Sequence, residues 1–331
     1  MVRSLKLDGY TLIDNIRIMK NSIEMIQKSL LKKLTILLIS LVVTMTFAQQ
    51  DPQYTQYMYN TMSVNSGYTG QRDVLSITAL YRTQWIGVPG APRTQTISAH
   101  SPLRNKKLGL GISIVNDQLG PANETYFDAN FSYTIPVSES GTKLSFGVKG
   151  GFHLLETDWS KGLYQDPDQA FEEDISLFSP TIGMGLYLHS DKWYLGASIP
   201  NFITTDHYDD FIESVAEERL HYYFIGGYVF NLSKSVKLKP AFLVKAVKGA
   251  PVIADLSGNL MFNDKLTLGL AYRWDDSVSA LAGFQISEGL FIGYAFDNTT
   301  TNLKNFNSGT HEIMLRFELK KVGKILSPRF F

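Results

Sequence analysis

The chain has 331 residues, with 31 basic and 31 acidic side chains and a formal net charge of zero, so bulk charge gives no ground for nucleic-acid binding. It contains no cysteine, which excludes disulfides, thiolate metal ligation and cysteine nucleophiles. Aromatic residues at 12% and 26 glycines suit strands and close packing.

In chain order, the first expected element is a targeting segment. Lys32 and Lys33 precede an apolar run, Leu34–Phe47, that ends at Ala48-Gln49. The run falls short of the ~20 residues that a membrane-spanning helix needs. Charge, short apolar run and small residue together read as a secretory signal. Residues before Lys28 are long for such a signal, so Met19 or Met25 stands as an alternative start. Residues 1–48 are therefore expected to be a signal peptide with an N-terminal extension. Their removal takes 7 basic and 3 acidic residues and leaves 24 and 28, a net charge of −4. Residues 49–72 follow, polar and aromatic without alternation. They are expected to lie at the periplasmic mouth of the following strands or inside their lumen as a partial plug, against a plain disordered leader.

From Asp73 to Lys320, segment after segment alternates apolar with small or polar residues. In Thr125–Ile135 the apolar set is Phe127, Ala129, Phe131, Tyr133 and Ile135. A strand points successive side chains to opposite faces, so each segment has one apolar and one polar face. The expected strands are 73–85, 93–101, 107–117, 124–136, 142–155, 178–189, 192–199, 220–232, 235–246, 252–263, 265–274, 278–287, 289–297 and 310–320. Connections after even-numbered strands are short, as at Ser190-Asp191 and Ser233-Lys234. Three after odd-numbered strands are long: Glu156–Leu177, Pro200–Arg219 and Asn298–Gly309. Outer-membrane barrels have an even strand number, short turns at one end and longer loops at the other. The fold class expected over residues 73–331 is thus all-β, a transmembrane antiparallel barrel of about 14 strands.

The faces agree. Leu75, Ile77, Ala79, Tyr81 and Trp85 line one side of the first strand, and Leu266, Leu268, Leu270, Tyr272 and Trp274 one side of the eleventh. Trp85, Trp193, Trp274, Tyr222 and Tyr294 suit the interfacial level, where an apolar ring with a polar handle is favoured. Lys143, Lys149, His153, Lys237, Lys239, Lys245, Asp255, Arg273, Arg316 and Glu318 share the opposite, inward register. Facing lipid near the midplane, such charges would cost ~2–4 kcal/mol each.

Two of the long connections are acidic. One carries Glu156, Asp158, Asp166, Asp168, Glu172, Glu173 and Asp174 against Lys161; the other carries Asp206, Asp209, Asp210, Glu213, Glu217 and Glu218. They are candidates for a partner-docking rim, with solvated loop charge as the plain alternative. Asp166-Pro167-Asp168 lacks a complete calcium-loop spacing. His153, His207, His221 and His311 have no metal-ligand spacing. Glu312 follows His311 on a strand, where neighbours face opposite ways. No Gly-x-Ser-x-Gly elbow or phosphate-binding glycine loop occurs. No cofactor, metal or enzymatic activity is expected.

Gln50-Asp51-Pro52 opens the mature chain, followed by Gln56-Tyr57-Met58 and Asn60. Asn65-Ser66-Gly67 comes next, then Tyr81-Arg82 with Gln84-Trp85. As a set these resemble the PorP/SprF family of the type IX secretion system of gliding and protein-secreting Bacteroidetes. One departure is Ser66-Gly67, where the family shows Pro-Ala. The resemblance implies an outer-membrane barrel that works with type IX components, in secretion or surface anchoring of gliding adhesin-type proteins through C-terminal sorting domains. It implies protein partners and outer-membrane lipid. A passive channel or small-solute transporter is the alternative that the strands alone would favour, and a barrel hydrolase is the third reading.

Overall fold

Alternation closes on itself in the computed structural model, which describes residues 52–161, 174–203, 220–247 and 249–319. The strands are β1 Leu75–Thr83, β2 Arg93–Pro102, β3 Leu108–Leu119, β4 Ala122–Pro136, β5 Lys143–Thr157, β6 Ile175–His189 and β7 Trp193–Ile199. They continue as β8 His221–Tyr228, β9 Val236–Val247, β10 Ile253–Phe262, β11 Leu266–Arg273, β12 Ser277–Gln285, β13 Leu290–Thr299 and β14 Thr310–Leu319. After Val229, β8 resumes for two residues, Phe230–Asn231, which pair with Leu238 and Lys237 of β9. Every strand pairs antiparallel with its sequence neighbours, and β14 pairs with β1 from Leu75↔Leu319 to Thr83↔His311. The result is a closed 14-strand barrel, in which ring closure removes the open edges of a sheet. Among the described residues no helix is long and apolar enough to cross a membrane.

The barrel is inverted relative to a water-soluble protein. On β4, Asp128, Asn130, Ser132 and Thr134 are buried, whereas Phe131 and Tyr133 are 39% and 43% exposed. Ile112 on β3 and Leu270 on β11 are 63% and 67% exposed. Apolar surface outside and polar surface inside is the arrangement that hydrocarbon demands. The inward charges follow: Lys239, Lys245, Asp255, Arg273, Arg316 and Glu318 are buried, as is His153. Lys149 is half-buried, while Lys143 and Lys237 sit at strand starts and keep more exposure.

Several boundaries differ from the sequence expectation. β1 stops at Thr83, and Trp85 adopts a positive φ of 46°, which breaks the pleat and removes it from the outward row of β1. Its N–H donates to Thr310 Oγ1 at 3.2 Å instead. β3 and β4 each run longer, because Gly120, at φ 56°, lets the chain reverse within 120–121. β5 and β6 also extend, pairing Glu156 with Ser176 and Thr157 with Ile175. Glu156 therefore belongs to a strand rather than to the acidic loop.

Connections 103–107, 137–142, 190–192, 232–235, 263–265 and 286–289 lie at one end, the short-turn end. The long connections 158–174, 200–220 and 300–309 lie at the other. β1 starts at the short-turn end, so the residues before it reach the sheet from there.

Candidate functional site

Between Pro52 and Gln71 there is no charged side chain. This stretch has neither helical nor strand periodicity and forms two short 3-10 turns, Thr61–Ser63 and Ser66–Tyr68. Asn65 caps the second turn, its Oδ1 accepting from the Gly67 N–H at 2.8 Å. Tyr54, Tyr57, Met58, Tyr59, Met62 and Tyr68 are all buried. Their partners are inward-facing residues on strands all round the ring, so the segment occupies the lumen.

At the long-loop end the segment meets wall carboxylates. Glu312 on β14 lies opposite Arg82 on β1 in the strand register and accepts from its Nη1 at 2.9 Å. The same guanidinium reaches Asp297 on β13 at 2.9 Å. Glu312 also accepts the backbone N–H groups of Thr55 and Gln56, each at 2.9 Å. The Thr55 hydroxyl donates to Asp297 at 2.7 Å. Next to this group, Arg273 pairs with Asp255 at 2.9 Å and Asp276 at 3.1 Å, and the Gln53 amide donates to Asp255. Buried charge persists only when paired and hydrogen-bonded; here the wall supplies the pairing and the segment fills remaining acceptor positions.

Halfway along the lumen the contacts are neutral. The Ser198 hydroxyl donates to the Val64 carbonyl at 2.6 Å, and Asn65 Nδ2 donates to the Leu186 carbonyl at 2.9 Å. Tyr54 shares a 2.9 Å hydrogen bond with Thr96. Gly147 and Gly185 face the capped turn, where a Cβ on either would overlap the Ser66-Gly67 backbone or the Asn65 side chain. Backbone can approach the wall this closely only where the wall lacks side chains. In this chain the Ser66-Gly67 departure also puts glycine on the segment side of the contact.

At the short-turn end, the Ser132 hydroxyl donates to Thr69 O at 2.6 Å, and the Gly70 N–H donates to His100 Nδ1 at 3.0 Å. Gly70 holds a φ of 75°, open to glycine without strain. Arg72 then pairs with Glu318, which also faces Arg316 at 3.7 Å. The Tyr59 ring lies 5.1 Å from the Lys239 ammonium and packs on Phe291 at 5.5 Å. Burial pushes the phenols of Tyr54 and Tyr57 well above their ordinary value, and that of Tyr59 up to about 12.

A narrow cleft remains beside the segment, toward the long-loop end. Pro52, Tyr54, Tyr126, Asp128, Lys149 and Thr181 are among its lining residues. Asp128 accepts from Lys149 at 2.9 Å and Thr181 at 3.0 Å.

The residues singled out in the sequence divide sharply. Pro52, Gln56, Tyr57, Met58 and Asn60 lie in the lumenal segment, and Arg82 faces them from β1. Tyr81 points outward, 42% exposed, whereas Gln84 and Trp85 lie in the following loop. Two of the sequence blocks that carry the resemblance thus meet at one carboxylate, Glu312. Of the acidic rim, Asp158 and Asp174 lie together at the long-loop end: the Trp159 N–H, next to Asp158, donates to Asp174 Oδ1 at 3.2 Å. Asp166, Asp168, Glu172, Glu173, Asp206, Asp209, Asp210 and Glu213 fall outside the described residues, as do Gln50 and Asp51. Sequence reading missed Arg72, Asp297 and Glu312 as a lumenal set, although strand parity would have turned the last two inward.

The family described as type IX secretion system membrane protein PorP/SprF matches residues 46–317. No curated protein matches the chain. Among solved structures, Omp33 of Acinetobacter baumannii is similar at 9% identity and a TM-score of 0.45, over 76% of this chain and 100% of that one. A FadL homologue of Pseudomonas aeruginosa is similar at 11% identity and a TM-score of 0.41, over 75% and 89%. A KdgM porin is similar at 10% identity and a TM-score of 0.34, over 74% and 99%.

Proposed function

This chain belongs to the PorP/SprF family of type IX secretion system membrane proteins and forms an outer-membrane β-barrel, and on that premise we propose that it works as a docking barrel. It holds an exported surface protein, of the gliding-adhesin kind, without covalent chemistry. The long-loop end faces outward, following the usual sidedness of such barrels. The observation that carries this reading is the occupied lumen. Residues 53–72 take up the space through which a solute would pass, with their tyrosines buried against the wall. That favours surfaces over a conduit, and so favours docking over a passive channel. Asp158 and Asp174 at the long-loop end add acid suited to steering a basic partner.

The decisive experiment is a clean deletion followed by comparison of the cell-surface proteome. We expect a small set of surface proteins with C-terminal sorting domains to disappear and to return on complementation. An unchanged surface proteome would sink the docking role. Steady porin-like current from the purified protein in planar bilayers would favour the channel instead.

A further inference from the structure

The lumenal segment is held as a ligand is held. Ring closure is complete without it, since every strand, β14 and β1 included, finds its ladder partners on the wall. Apart from Arg72 with Glu318 at the tethered end of the segment, the buried ion pairs are likewise internal to the wall: Arg82 with Asp297 and Glu312, Arg273 with Asp255, and Lys149 with Asp128. Pro52 to Gln71 adds no charge, so its departure would leave no carboxylate or guanidinium stripped of its ionic partner. What it does supply is neutral and specific. Two adjacent backbone N–H groups go to Glu312, the Asn65 amide goes to a β6 carbonyl, and a turn fits against Gly147 and Gly185. Tyrosine rings fill the remaining space. These are the elements of peptide recognition: main-chain bonds for affinity and shaped contacts for choice.

We infer that the lumen is a peptide-binding groove with residues 52–71 as its resident occupant, tethered to the wall through Arg72. Its second ligand is an uncharged, turn-forming segment of the exported partner, rich in tyrosine and side-chain amides, that takes the same place. The identity of that partner rests on the docking role proposed above; the groove rests on the contacts. A tethered occupant competes at an effective concentration of about millimolar, so a free peptide enters the intact barrel poorly. A partner already docked at the rim presents its segment on equal terms.

The test keeps the full chain and inserts a protease site between Asp73, exposed at the barrel edge, and Val74. The site is cut after folding in detergent. A fluorescent synthetic peptide of residues 50–73, added at ~10 µM, is expected to label the cut protein at least ~10-fold more than the uncut one, whose tether still competes. The same peptide carrying Asn65→Asp turns a carboxylate toward the Leu186 carbonyl and is expected to label at least ~10-fold less. Retention of the cut segment with no entry of label, or equal entry of both peptides, overturns the groove. Should the insertion prevent folding, the intact chain carrying Asn65→Asp serves: its bilayer current is expected to rise several-fold, and an unchanged current overturns the inference. Surface proteins lost on deletion, with no peptide exchange, would remove the groove and leave docking standing. Exchange with an unchanged surface proteome would do the reverse.

Discussion

The two ends of the lumenal segment are gripped by opposite logic. At the long-loop end, uncharged atoms of the segment approach charges that the wall has already paired, as Thr55 and Gln56 do at Glu312. At the short-turn end the segment brings its own charge, Arg72, to Glu318. One end caps a finished network and the other completes an unfinished one. The difference teaches that buried charge in a lumen can be organised by the barrel itself, leaving the occupant to supply fit.

The sharpest way to break this contrast is Glu312→Ala. It deprives two backbone N–H groups of their acceptor and takes one of the partners of Arg82, leaving Asp297. Removing one member of a buried charged group costs about 3–5 kcal/mol. We expect a clear fall in thermal unfolding temperature in detergent, with residues 52–60 becoming protease-sensitive first. Arg72→Ala should do less, about 1–3 kcal/mol, because Glu318 keeps Arg316 within 3.7 Å. If Arg72→Ala destabilises as strongly as Glu312→Ala in the same melts, the contrast is wrong. Asn65→Ala sits between the two ends. Loss of a turn cap and of one bond to a carbonyl is expected to cost about 1 kcal/mol and to leave both termini of the segment in place by protease mapping.

Alkali gives the mildest perturbation. The phenol of Tyr59 is raised from 10.0 to about 12 by burial, so below pH 10 it is protonated whether the segment is folded or free. Its contribution is complete there. Above pH 10 the free phenol ionises while the buried one does not, and the contribution drains away as pH rises toward 12. Protease sensitivity of the segment should therefore grow between pH 10 and about 12, together with phenolate absorbance. Phenolate appearing fully at pH 10 with the segment still protected would contradict this burial.

The barrel was legible because alternation is a direct physical consequence of lipid outside and water inside. Phe131 and Asp128 carry that information without any knowledge of neighbours. The grip on the segment was not legible for two reasons. Residues 52–72 use 3-10 turns and single bonds, which leave no period in the sequence. And Arg82 meets Glu312 only because the first and last strands pair in one particular register, a long-range fact that spacing along the chain does not encode. The left-handed backbone at Trp85 and Gly120, which moved three strand ends, was equally invisible to a pattern of apolar residues.

That pairing of first strand with last has a consequence for biogenesis. Glu312 is held in place by β14, so the acceptor for Thr55 and Gln56 exists only once the final strand has zipped onto the first. The segment ahead of the first strand thus waits for the last strand before it can settle. A barrel still open at this seam would leave its beginning loose, a visible mark of incomplete assembly for any protease patrolling the envelope.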